Sequence, residues 1–170
     1  MGHYIANLRD IEFCLFDLFE RESILGKSIY KDLDRETAMG MLEEVKRMAE
    51  NDLAASFIDG DQIKVKFDPA TGDVKLPESF KKSYKTFMDN EWWRIDAPVE
   101  LGGTAMPASI RWAIAEMVLG SNPAIHIYAS GTAFAHVAHV YGTPEQKKIA
   151  KLMIDKQWGA TMMLTEQDAG

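Results

Sequence analysis

Apolar residues recur at intervals of three and four along most of the chain, the period of helices that bury one stripe and wet the other. Leu8, Ile11, Leu15, Leu18 and Phe19 form the first such stripe, broadened by Phe13 and Phe16, and too large to be left in water. Asp34 is a good N-cap, and Ala38, Met41, Leu42, Val45, Met48 and Ala49 after it predict a second amphipathic helix. Its charged residues Glu43, Glu44, Lys46, Arg47 and Glu50 make a solvated face. Pro77 opens a helix through about Asp89 with Phe80, Tyr84, Phe87 and Met88 inward. Pro107 to Leu119 is the next, with Ile110, Ala113, Ile114, Met117 and Val118 on one side. Gly120-Ser-Asn-Pro123 breaks it, and Pro123 starts a helix that runs to about Tyr141. Thr143, Pro144 and Gln146 combine a hydroxyl N-cap, a proline at the first helical position and an amide three residues on. The helix they start should end near Lys156 and turn Ile149, Leu152 and Met153 inward.

Two stretches read differently. Val65-Lys-Phe67 and Val74-Lys-Leu76 alternate around the turn residues Asp68 to Asp73, which predicts a small hairpin exposed on one face. Trp158 to Leu164 is a short uncharged run with the length of a buried strand, followed by the polar loop Thr165 to Gly170. The pattern therefore predicts a mainly α chain with little sheet. A helix, a strand and a loop of backbone donors is also a common way to present N–H groups to a flat or anionic ligand.

The 170 residues are 46% hydrophobic and 26% charged, the balance of an ordinary globular domain with a sizeable core. A net charge of −7 with no basic run argues against nucleic acid or an anionic membrane surface as partner. Cys14 is the single cysteine, so neither an internal disulfide nor a cysteine-rich zinc site is available, and a reducing, cytoplasmic setting fits. Arg9, Asp10 and Glu12 stand where an export signal needs apolar residues. From Met117 to Pro144 no Asp, Glu, Lys or Arg occurs, but the turn and three histidines within it predict a buried core helix, not a membrane span.

Candidate chemistry is sparse. His126, His136 and His139 share this uncharged stretch with no carboxylate among them, so they read as core or pocket-lining side chains and no metal site is expected. Ala129, Ser130, Gly131, Ala133 and Ala135 give a small-residue surface, suited either to close helix packing or to a cavity wall. Trp92 and Trp93 either seal the core or face a ligand, with Gly102 and Gly103 allowing a sharp turn. No phosphate-binding glycine loop, nucleophile elbow or internal repeat is visible.

Trp158-Gly159-Ala160-Thr161-Met162-Met163-Leu164-Thr165-Glu166-Gln167-Asp168-Ala169-Gly170 resembles the flavin-binding signature of acyl-CoA dehydrogenases, an aromatic or Met, a small residue, Val or Leu, then T-E-P-D/G-A-G-S. Gly142-Thr-Pro-Glu-Gln-Lys-Lys148 resembles the helix start that precedes it in that family, at the usual distance. Gln167 stands in place of the family's proline, and the sequence stops before the final serine. Trp92 to Gly103 is similar to the W-x-x-I/L-x-x-P-E-E-Y-G-G segment, with Val99 and Leu101 replacing Glu and Tyr. Residues 1–16 resemble the N-terminal extension of a larger bacterial branch.

The resemblance implies three parts: an extension over 1–33, an α-helical N-terminal domain over 34–157, and over 158–170 the first strand and flavin loop of a following β-domain. It implies an FAD-dependent flavoprotein of fatty-acid β-oxidation that oxidises an acyl-CoA to a trans-2-enoyl-CoA and passes electrons to electron-transfer flavoprotein. A cytoplasmic homo-oligomer is expected at full length. By motif, Met162, Leu164 and Thr165 contact the flavin ring and Gly170 turns towards its pyrophosphate. The tunnel-facing positions fall on Ile125, His126, Ala129 and Ala133. In the family the Glu base lies in a C-terminal bundle, so no residue here is assigned to catalysis and the segment alone is expected to be inactive. The rival reading is a non-catalytic helical interaction module derived from that fold, which flavin content would distinguish.

Overall fold

The structure, a computed structural model, describes residues 2–163 and 165–168. Helix α2 (Arg35–Met48) starts where the Asp34 carboxylate accepts the Thr37 N–H at 2.7 Å, and Ala38, Leu42, Val45 and Met48 are buried along it. A π-helical stretch, Ala49–Leu53, continues it and keeps Ala49 and Leu53 inside. Against these lie α4 (Glu78–Asp89) and α5 (Ala108–Ser121), with α3 (Phe57–Gln62) packed beside α4. All five inward positions expected of α5 are buried, and Ala115 and Ser121 join them. Pro77 and Pro107 cap their helices, whereas Pro123 and Pro144 occupy the first turn, places where a missing N–H costs nothing. The predominantly helical architecture predicted by the periodicity is present.

Buried Asn122, at the end of α5, donates to the Leu53 carbonyl at 3.2 Å and the Ser56 hydroxyl at 3.0 Å. This fixes where α5 hands over to α6 (Pro123–Tyr128), since the groups would be costly to leave unpaired.

At the N-terminus α1 (Leu8–Glu12) widens into a π-helical stretch, Phe13–Leu18. The wider turn rotates later side chains relative to an α-helix, so Ile11, Leu15 and Phe16 are buried while Phe13, Leu18 and Phe19 are exposed, contrary to the expected stripe. The segment is held by Tyr4 packed over Gly120, by the Ala6 N–H on Glu50 Oε1 at 2.9 Å, and by Arg35, which reaches Glu12 at 3.1 Å and Glu22 at 3.3 Å.

The hairpin pairs β1 (Lys66–Phe67) with β2 (Val74–Lys75) antiparallel, Phe67 opposite Val74. Both faces are exposed, not one as expected, and among the described residues no helix packs over it closely enough to bury them.

Other expectations need correction too. The single helix from Pro123 to Tyr141 is two, α6 and α7 (Gly131–Tyr141), broken where the Ser130 hydroxyl donates to the Ile127 carbonyl at 2.7 Å and competes with the helical ladder. Nor is α7 a buried core helix, for Val137, Val140 and Tyr141 are exposed. In α8 (Pro144–Asp155) the capping box forms as predicted, but Ala150 and Ile154 are buried while Ile149 and Leu152 are exposed and Met153 is half-buried. The face of α8 turned inward is the one that meets α7, its main neighbour, and small Ala150 permits the close approach.

Residues 158–163 form no strand. The Trp158 N–H bonds back to the Met153 carbonyl at 2.9 Å, and among the described residues no partner strand lies beside the segment to give it a ladder.

Candidate functional site

The cleft between α5 and α7 holds two hollows. The inner one, about 180 Å³, is walled by Phe87 of α4, Trp93, Trp112 and Ala115 of α5, His126 of α6 and the small residues Ala129, Ser130 and Ala133. The outer one, about 860 Å³, lies between the loop from Ile95 to Met106, the start of α5, His136, His139 and Val140 of α7, and Lys147 of α8, with Ile29 and Tyr30 at its rim. Asp96, Arg111 and Ala133 line both.

The loop holds its shape through its glycines and an arginine. Gly102 has φ 87°, and a Cβ on Gly103 would overlap the Ala97 carbonyl, so the Gly-Gly pair is required by geometry. Arg94 donates to the Gly102 carbonyl at 2.7 Å and to Glu91 at 2.6 Å, with its guanidinium 4.7 Å from the centre of the Trp93 ring. Hydrogen bonding from Arg94 holds the Glu91 carboxyl below the usual carboxylate range. Arg111 donates to Asp96 at 2.8 Å and lies 5.3 Å from the Trp112 ring centre, which fixes the pair at the junction of the hollows. Trp93 is buried, and among the described residues its indole Nε1 has no hydrogen-bond partner. An unpaired donor in a cavity wall is uncommon in a settled core and suits a site that takes a ligand.

Of the residues the sequence singled out, His126, Ala129 and Ala133 come together in the inner wall. Ile125 does not line either hollow; it is fully buried within the core. His136 and His139 line the outer hollow, and among the described residues no group of three or more His, Cys, Asp or Glu side chains gathers as a metal set would. Met162 and Thr165 lie exposed outside the cleft, while Leu164 and Gly170 fall outside the described residues. Sequence reading missed the Asp96–Arg111 pair and Trp112. No spacing rule joins a loop aspartate to a helix arginine, so only the fold could bring them together.

The flavin-signature segment leaves the helices beside this cleft. The Trp158 carbonyl occupies the space a Cβ on Gly131 would need, and Gly159 passes the Tyr128 carbonyl, so the chain crosses the α6–α7 junction next to Ala129 and Ser130. Among the hydrogen bonds between described residues, none is donated by the backbone of 159–163 or 165–168. The N–H groups of this segment and the Thr165 hydroxyl are a donor set of the kind that fits the edge of an isoalloxazine ring. Among the described residues no helix is long and apolar enough to cross a membrane.

No family model matches the chain. Over all 170 residues it is 45% identical to the broad-specificity linear acyl-CoA dehydrogenase FadE5 of Mycobacterium tuberculosis. Over 169 residues it is 29% identical to the 3-methylmercaptopropionyl-CoA dehydrogenase of Ruegeria pomeroyi. The chain spans 28% of the length of each of these curated relatives. It is thus homologous to a portion of acyl-CoA dehydrogenases.

Proposed function

We propose that these residues are the helical N-terminal part of an FAD-dependent acyl-CoA dehydrogenase, in which the cleft between α5 and α7 receives the acyl chain. The observation that carries the reading is the crossing of the flavin-signature segment over the α6–α7 junction, where the small-residue wall of the inner hollow begins. A flavin held by that segment would sit at the mouth of an apolar cleft, the arrangement needed to oxidise a carbon–carbon bond of a chain lying within.

FAD supplies the hydride acceptor, chemistry that no side chain can perform. This chain's part is binding and orientation. Met162, Leu164 and Thr165 would hold the ring through backbone groups and one hydroxyl, and Gly170 would turn towards the pyrophosphate. Ala129 and Ala133 leave room for methylenes, and His126 closes the side. In the whole enzyme a glutamate from outside these residues would take the pro-R α-proton and the bound flavin would supply the acceptor for the β-hydrogen, so that a trans-2-enoyl-CoA would result. The relative named for linear acyl-CoAs supports a straight fatty acyl chain as substrate. Electron-transfer flavoprotein as acceptor, a homo-oligomeric state and a cytoplasmic location complete the reading.

Thr165→Val tests it. Losing one hydrogen bond of about 1 kcal/mol weakens FAD about fivefold. Flavin affinity and reduction rate both equal to wild type would remove Thr165 from the site.

A further inference from the structure

We propose that the groove between the N-terminal segment and α5 is a docking site for an amphipathic helix of a partner protein, apolar on one side and flanked by Lys or Arg. The groove shares only Trp112 with the two hollows of the acyl cleft, and the inference stands apart from the acyl-binding reading.

Two helix faces line this groove, which measures about 380 Å³. From the N-terminal segment come Asn7, Asp10, Ile11 and Cys14, at intervals of three, one and three, followed by Leu15 and Phe19. From α5 come Ser109, Trp112, Ala113 and Glu116, at the same intervals. That spacing marks one face of a helix on each side. Two such faces bordering an open groove present the ridges on which a further helix packs. The stripe on α5 rises about 10 Å over its seven steps, enough to meet two turns of an incoming helix. Ile11, Leu15 and Ala113 are buried in the lining, but Phe19 on one side is 54% exposed and Trp112 on the other 56%. Large aromatic side chains left wet on both sides of one groove are the anchors that an apolar stripe would cover.

Charge selects the occupant. Asp10 and Glu116 are the charged side chains in the lining, and no Lys, Arg or His contributes to it. Both are exposed; Asp10 accepts from the Asn7 amide at 2.6 Å, and among the described residues neither has a cationic partner. The neighbouring cations are engaged elsewhere, Arg9 with Glu12 and Arg111 with Asp96. A second copy of this face would set acid against acid in a chain of net charge −7. An anionic lipid surface meets the same repulsion. A helix whose apolar stripe enters the groove while its Lys or Arg residues reach Asp10 and Glu116 satisfies both features at once.

The test is fluorescence anisotropy on the full-length protein that contains these residues, with three labelled helical peptides of equal length. One carries a Leu stripe flanked by Lys, one the same stripe flanked by Glu, and one the Lys residues with Ser in place of Leu. The Leu/Lys peptide should bind tighter than either control by about tenfold or more. It should also slow alkylation of Cys14 by iodoacetamide, read by mass spectrometry, since Cys14 is exposed in the groove. Asp10→Asn with Glu116→Gln should weaken its binding about tenfold. Cys14→Trp, which fills the groove and leaves its charge alone, should weaken binding as much. All three positions are exposed, and Cys14 protection in the wild type tests the same point without any variant. A Leu/Lys peptide that does not bind, binds no better than a control, leaves Cys14 alkylation unchanged or has the same affinity for either variant would overturn the proposal. Self-association that Cys14→Trp weakens would identify the occupant as a second copy and overturn it too.

Discussion

Gly40 lies within α2 on its exposed side, with nothing within 4 Å of where a Cβ would stand. Gly40→Ala should therefore stabilise the chain by about 0.5–1 kcal/mol, read as a higher denaturation midpoint with unchanged slope. Glycines elsewhere could not be treated alike from sequence. Gly102 and Gly103 were legible as a turn, but the need for Gly131 arises from the Trp158 carbonyl, which only the folded chain brings there. At the site the same division holds. Ala129 and Ala133 were legible as a small-residue surface suited to close packing or to a cavity wall, while Asp96, Arg111 and Trp112 were hidden because their neighbours come from other elements. Ala133 faces both hollows, so in the full enzyme Ala133→Phe should reject long acyl chains more than short ones, seen as a fall of tenfold or more in the ratio of kcat/KM values. Equal losses at all lengths would make Ala133 a packing residue.

At the scale of elements, helix starts were the most legible feature. Asp34 and Thr143 each bond the expected backbone N–H, since capping depends on residues three apart in sequence. Helix phase was less legible. Whether Ala150 or Ile149 faces inward depends on which neighbour α8 meets, and the π-helical widening after α1 leaves no mark in the residue pattern. The docking of the N-terminal segment is likewise tertiary, and it carries a pH dependence. Glu50 is held below the usual carboxylate range by the Lys46 ammonium first and the Ala6 N–H second, against the opposing effect of burial. A carboxylate depressed in the folded state stabilises fully above its ordinary value and loses that contribution as pH falls through the depressed one. Exchange protection at the Ala6 amide should thus be full at neutral pH and fall only in acid, and Glu50→Gln should reduce it at pH 7. Equal protection in the two proteins would show that Glu50 does not hold the segment.

Taken as a whole, the molecule is a helical core with two kinds of surface. Most of it is charged and wet, as in the pairs Glu44–Arg47 and Lys85–Asp89. The outer face of α7 and α8 is not: Val137, Tyr141, Ile149 and Leu152 are exposed together, with Tyr141 at 83%. The exposed signature segment leaves the same helices, and the homologous dehydrogenases are several times longer. Global class was legible because helical periodicity is a property of the chain itself. The absence of a strand at 158–163 was not, because a strand needs a partner that sequence pattern does not supply. The most direct test of the account is an anaerobic titration of the dehydrogenase that contains these residues, purified with its flavin, with a saturated linear acyl-CoA. The account predicts loss of the flavin absorbance bands with formation of one 2-enoyl-CoA per flavin reduced. A protein that carries no flavin, or whose flavin spectrum is unmoved by acyl-CoAs of every length, would contradict it.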